Sequence, residues 1–185
     1  MIGLILDKIV FISGNVGKIQ EVKSQLLKYD IQIIPKDVKI KELQEVSPVK
    51  LIKDKAYKCF RQVKHKFLVE HTELQISKLN GFPGVHTSPF WDTLGAGKIT
   101  ELYGGSDALA RTFLAYCDGY KLRLYTGETK GSISYEPKGC EAFQWDCIFM
   151  PAGSNKTFAE LGAEKEFYSM RKKAIEKFAN EYLYL

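Results

Sequence analysis

Lys8-Ile-Val-Phe-Ile-Ser13 is a short apolar run rich in β-branched residues, and from Val16 to Leu27 the apolar residues Ile19, Val22 and Leu26 recur at helical spacing. A buried strand followed by an amphipathic helix is therefore expected at the start of the chain, joined by the turn Ser13-Gly14-Asn15. A strand buried on both faces needs helices packed over it, which commits the chain to layered α and β structure. The same junction aims backbone N–H groups and the positive end of the helix dipole at the turn, where an anion is stabilised. Ser13-Gly-Asn-Val-Gly-Lys18 matches neither the Walker A pattern nor G-x-G-x-x-G, and a purely structural turn would share its glycines. Lys18 favours the phosphate reading, because a cation in a first helical turn opposes the dipole unless an anion neutralises it.

Further along, Ile31–Ile34 reads as a second strand, and Pro48 opens a second helix running to about Lys64, since proline is tolerated in a first turn. Phe67–Val69 and Leu74–Ile76 read as two short strands. Gly81-Phe-Pro-Gly84 begins a loop-rich stretch to Gly97. Alternation in Lys121–Tyr125 and Ser132–Tyr135 suggests an antiparallel pair. Thr157 to Tyr182 is expected to be helical, with Phe167, Met170, Ala174, Phe178 and Tyr182 on one stripe. No repeat or Gly/Ser linker interrupts the chain, so residues 1–185 are read as one α/β or α+β domain with a mixed sheet.

With 185 residues, 45% hydrophobic and 26% charged, the chain can bury a sizeable core, and disorder or collagen-like structure is excluded. The net charge of +5 would suit a small polyanion if the cations converge. Nucleic acid is not expected as a partner, because the basic residues read as dispersed and offer no groove-reading helix. Cys59, Cys117, Cys140 and Cys147 form no CxxC pair and no zinc spacing, which points to reduced thiols and a cytoplasmic protein. The apolar run Met1–Ile5 is too short for a signal sequence, and no stretch approaches the roughly 20 apolar residues that span a bilayer.

Three more clusters carry chemistry. Glu70-His71-Thr72 follows Phe67–Val69, and polar residues at the end of a buried strand line a site or form a solvated edge. Glu42-Leu-Gln-Glu45 is a carboxylate cluster or an exposed loop. Phe143-Gln-Trp145-Asp146 follows the turn Pro137-Lys-Gly139; it suits base stacking with ring hydrogen bonding, or a core tryptophan beside a capping aspartate.

In this order and spacing the segments resemble the inosine triphosphate pyrophosphatase (ITPase) family, from Lys8 to about Tyr182. Its T-G-N-x-x-K loop stands here as Ser13 to Lys18, its acidic E-x-Q segment as Glu42-Leu-Gln44, and its glycine-proline-glycine turn as Gly81–Gly84. G-x-x-x-G-x-I matches Gly127 to Ile133, and the base-binding F-x-W/Y-D-P matches Phe143 to Asp146. A-E-x-x…S-H-R corresponds to Ala163-Glu-Lys165 and Ser169-Met-Arg171. The resemblance implies an elongated mixed sheet in two lobes with a central nucleotide-binding cleft. Ser13, Asn15, Lys18, Lys55 and Lys165 would meet the triphosphate of dITP, ITP or XTP. Phe143 and Trp145 would stack on the purine, and Asp146 and Arg171 would read its 6-oxo edge. Glu42 and Glu70 would hold Mg²⁺, a homodimer would form, and the α–β bond would be split to a monophosphate and pyrophosphate.

The departures fall on the chemistry. The family has a paired acid where this chain has Glu70-His71, so His71 replaces the carboxylate assigned to metal binding and water activation. Magnesium takes oxygen ligands, and an imidazole replaces one poorly. Losing a positioned general base removes a factor of roughly 10²–10⁴. Glu73 could substitute only if the strand shifted. Met170 stands for the histidine of S-H-R, on an apolar stripe, and Cys147 for the proline after the aspartate. Binding residues kept and the hydrolytic acid lost suit a weak or inactive sensor acting through a partner. ITPase-like proteins in bacterial antiviral operons lie beside NAD-consuming effectors, and such an enzyme is the partner the resemblance implies. The other reading is an active pyrophosphatase in which His71 has taken over, with Mn²⁺ in place of Mg²⁺ because imidazole tolerates softer metals.

Overall fold

The computed structural model describes residues 7–184; the Met1–Ile5 run lies outside them. The opening strand and helix form as their patterns require: β1 spans Asp7–Ile12 and α1 spans Val16–Leu27. The parallel strand β2, Ile31–Lys36, pairs with β1 in the register Ile9↔Ile33. Helix α2 covers Pro48–Val63, with Ser47 as its N-cap and proline in the first turn, where no N–H is missed. It ends where Lys64 turns left-handed at φ 49°.

Strand β3 is one ten-residue element, Phe67–Ile76, where two short strands were expected. Glu70, His71 and Thr72 therefore sit mid-strand and not at a strand end. The strand runs through them with Glu70 held by two cations and the half-buried Thr72 by the Thr112 hydroxyl at 3.2 Å. Beyond it lie the two-residue β4, Pro83–Gly84, and α3, Thr87–Tyr103. The stretch to Gly97 is thus largely helical and not loop. Pro89 is accommodated near the helix start, and Gly95 breaks the regular backbone at φ 69°.

Strands β5, Asp107–Cys117, and β6, Leu122–Ile133, follow. The expected antiparallel pair within residues 121–135 is instead the single strand β6, because no turn separates its halves; its neighbours are β5 and β7, Phe149–Pro151. Gly131 is needed there, since a Cβ would stand 2.1 Å from the Met150 carbonyl oxygen. The expected long C-terminal helix is broken: α4, Phe158–Leu161, and α5, Met170–Tyr182, flank a 3₁₀ stretch that starts at Gly162, whose φ is 51°. Phe167 consequently leaves the apolar stripe and is 78% exposed, while Met170, Ala174 and Phe178 are buried.

The sheet has the order β2-β1-β3-β5-β6-β7, with β4 beside β3. It is mixed, as expected: β1 runs parallel to β2 and β3, whereas β3–β4 and β6–β7 are antiparallel. The chain divides into two compact units. One runs to His71, resumes over Phe113–Thr126 and ends with the residues from Arg171; the other comprises Thr72–Thr112 and Gly127–Met170. The first unit has two apolar clusters. Ile9, Phe11, Val22, Leu26 and Phe178 centre one, and Ile52, Ala56, Phe67 and Val69 the other. The second unit is built on Leu74, Ile76, Ile133, Trp145, Phe149 and Phe158.

Phe178 is fully buried against Tyr116, Tyr125 and Tyr182, with ring centroids 5.1–5.6 Å apart. Phe178→Ala is expected to destabilise the protein by about 3–5 kcal/mol. Guanidinium unfolding should show a lowered midpoint at unchanged slope.

Candidate functional site

The turn after β1 is held by its own side chains. Ser13 Oγ accepts from the Asn15 N–H at 3.2 Å, and Asn15 Oδ1 accepts from the Lys18 N–H at 3.0 Å, which makes Asn15 the N-cap of α1. Gly14 fits because a Cβ would stand 3.0 Å from the Asp37 carboxylate. Ser13 and Asn15 thus shape the loop, while Lys18 projects toward β3.

Lys18 Nζ lies 3.0 Å from Glu70 Oε1, and Arg171 Nε donates to Glu70 Oε2 at 2.9 Å. Arg171 also forks to Glu21 through Nη1. Glu70 has a side chain only 2% exposed. Burial works against its charge, but Arg171 and Lys18 outweigh burial and hold its carboxyl down to about 2. Burial, aided by Arg171, lowers Lys18 even though Glu70 supports its charge. Burial opposes the Arg171 charge too, yet Glu70 and Glu21 raise it above its ordinary value.

Side chains alternate along a strand, so His71 faces away from Glu70. On that side Lys55 donates to Glu42 Oε1 at 2.8 Å and to the Glu70 carbonyl at 3.2 Å. Burial opposes the Glu42 charge, but Lys55 overcomes it and the carboxyl is lowered. His71 is buried, and burial, then Lys55, push its imidazolium down to about 4 against the smaller pull of Glu42. At neutral pH it is an uncharged imidazole.

These donors do not fit a resident magnesium ion. Mg²⁺ needs oxygen ligands in near-octahedral order. Glu70 spends its oxygens on Lys18 and Arg171, Glu42 spends one on Lys55, and His71 offers nitrogen. Among the described residues no three His, Cys, Asp or Glu side chains gather that could hold a metal.

The remaining expected residues lie in the second unit. Asp146, 6% exposed, is salt-bridged to Lys165 at 2.5 Å. The Lys165 ammonium stands 5.0 Å from the Phe143 ring centroid. Lys165, expected on the triphosphate, is thus gathered with Phe143 and Asp146, the residues expected at the base. Phe143 is 37% exposed and can offer a face. Trp145 is packed on Phe149 and Phe158 in the core, the alternative its motif left open. Arg171, expected beside Asp146 at the base edge, serves Glu70 and Glu21 in the first unit. Met170 is 1% exposed and packs in the second unit's core.

Sequence reasoning missed Glu21 altogether and, for Glu73, missed the partner. Glu21 stands three residues after Lys18, one helical turn along the same face, and that spacing was the available signal. Glu73, fully buried, accepts from Arg111 Nε at 2.9 Å; the observed register gives it to Arg111, a pairing 38 residues apart that local pattern does not reveal.

Comparison with known proteins bears on the family and the fold. The sequence model of the Ham1 family matches residues 9–181. A dITP/XTP pyrophosphatase of Methanopyrus kandleri is 38% identical over 180 residues, spanning 95% of this chain and 96% of that protein. An inosine triphosphate pyrophosphatase of Yarrowia lipolytica is 34% identical over 176 residues, spanning 91% and 92%. The solved structure of a HAM1 protein from Coxiella burnetii superposes with a TM-score of 0.81 at 25% identity, covering 97% of this chain and all of that one.

His71 gives stability a pH dependence of defined sign. Its folded value near 4 lies below the ordinary 6.5, so the unfolded chain binds more protons between them. Stability is full above about pH 6.5 and falls by on the order of 2–3 kcal/mol as pH drops toward 4. Glu70, also depressed, adds a further loss from about 4.5 down to about 2. Chemical unfolding across pH should show both steps, and His71→Gln should flatten the first while sparing the second.

Proposed function

The chain belongs to the Ham1 family, and from that premise we propose that it binds purine nucleoside triphosphates of the dITP, ITP and XTP class while hydrolysing them slowly or not at all. One observation carries the reading. At the paired-acid position the only carboxylate, Glu70, has both oxygens on cations, and its neighbour is the neutral His71. An imidazole whose conjugate acid has a value near 4 is a weak base for activating water. Lys18, Lys55 and Arg171 meanwhile gather beside β3, each paired with Glu70, Glu42 or Glu21, and a polyphosphate arriving there would take these cations in exchange for the carboxylates. A module that keeps its ligand acts by being read, so a homodimer partner or a separate effector protein belongs to this reading.

The alternative is an active pyrophosphatase with His71 as base, favoured by the neutral ring, whose lone pair can accept a proton. Hydrolysis separates the two. With dITP at about 100 times its dissociation constant, stabilisation should reach roughly 2.7 kcal/mol, readable as a higher melting temperature. Pyrophosphate release with Mg²⁺ or Mn²⁺ supplied should stay well below one turnover per second, an ordinary enzymatic rate being about 1–10³ per second. His71→Asp should raise release at least about tenfold by restoring an acid. Turnover of one per second or faster in the native protein contradicts the proposal, and absence of any purine triphosphate binding contradicts both readings.

A further inference from the structure

The net charge is not dispersed, as the sequence reading had it. Residues 36–66 hold ten Lys and Arg against four Asp and Glu, more than the whole chain's excess of +5. Much of it lies on α2. The inner side of that helix buries Leu51, Ile52, Ala56 and Cys59. Its outer side presents Lys50, Lys53, Tyr57, Phe60, Arg61 and Lys64, spaced three and four residues apart along one stripe. Tyr57 is 63% and Phe60 36% exposed, one turn apart at the middle of the stripe. The acid nearest them in sequence, Asp54, is taken by Lys58 at 2.6 Å. Lys53, Arg61 and Lys64 have no ion-pair partner among the described residues.

We infer that the outer face of α2 is a docking surface for the acidic face of a second, different protein. Two aromatic rings at the centre of a charged rim have the layout of a protein interface, where Tyr, Phe and Arg are enriched and anchor residues cluster centrally. Lys50 has Glu45 at 3.5 Å, but the three cations Lys53, Arg61 and Lys64 without an acid partner call for a carboxylate-rich one. A second copy of this chain does not fit. A two-fold interface must be self-complementary, and here it would set like charges against one another. A lipid surface fits poorly, because the apolar side of α2 is committed to the core and two rings leave little to insert. The surface is argued from α2 alone and stands whether or not the triphosphate reading holds.

The test uses the intact chain and a fluorescein-labelled acidic peptide of about 20 residues, with a Leu/Phe stripe flanked by Glu. Polyglutamate of equal charge, an oligo-dT strand and phosphatidylserine vesicles serve as comparisons, at about 0.15 M salt. The amphipathic peptide should bind at least about tenfold more tightly than polyglutamate and more tightly than the strand or the vesicles. Tyr57→Ala with Phe60→Ala, and separately Lys53→Glu with Arg61→Glu, should each weaken it at least about tenfold at unchanged melting temperature. Equal binding of polyglutamate, preference for the strand or the vesicles, indifference to both variants, or self-association through these residues overturns the inference. A dITP melting shift run on the same samples distinguishes the failures: if it persists while the peptide does not bind, the docking surface falls alone.

Discussion

A carboxylate in the middle of a buried strand is the constraint on which the first unit depends. Glu70 stays ionised only because Lys18 from α1 and Arg171 from α5 each give one of its oxygens a charged partner. Removing one partner from such a buried set typically costs about 3–5 kcal/mol, because the charge left behind has neither water nor a counterion. Two helices distant in sequence are thereby pinned to β3 by one side chain. Arg171 extends the tie to Glu21 on α1, and Lys55 adds α2 through the Glu70 carbonyl. The same groups that fix the helices form the candidate phosphate-binding charge, so folding and ligand binding draw on one set of cations.

Much of this was legible in the chain. The β-branched run Lys8–Ser13, the capping Asn15 and the helical stripe through Leu26 are local signals, and β1, the turn and α1 form as read. Pro48 marked the start of α2 for an equally local reason. Tertiary pairing decided the rest. Nothing within a few residues of Glu70 says that it will meet Arg171, 101 positions away, so a strand that crosses it read as two short ones. Phe143 and Trp145 read alike as stacking aromatics, yet one is exposed and the other packs in the core, a difference set by Phe149 and Phe158. The break at Gly162 was visible as a glycine, but the apolar residues beyond it kept helical spacing and masked the interruption.

On the proposed reading, family membership and chemistry separate at His71. The Ham1 fold, the ordered motifs and the cations beside β3 are kept, while the one position where a second acid is expected carries an imidazole that burial keeps neutral. A neutral ring avoids adding positive charge beside Lys18 and Lys55, which is electrostatically consistent with the fold. It also withholds the negative charge that a metal-assisted hydrolysis would need. On that reading stability and catalysis make opposite demands on this position, and the residue present satisfies the first.

The most direct measurement is the identity of the nucleotide recovered from the protein. Excess protein is mixed with dITP and Mg²⁺ and quenched after about 3 s, long enough for near-complete conversion at one turnover per second, and its bound nucleotide separated by ion-exchange chromatography. The account predicts intact dITP, with the monophosphate a minor component. Quantitative conversion to the monophosphate and pyrophosphate would contradict it.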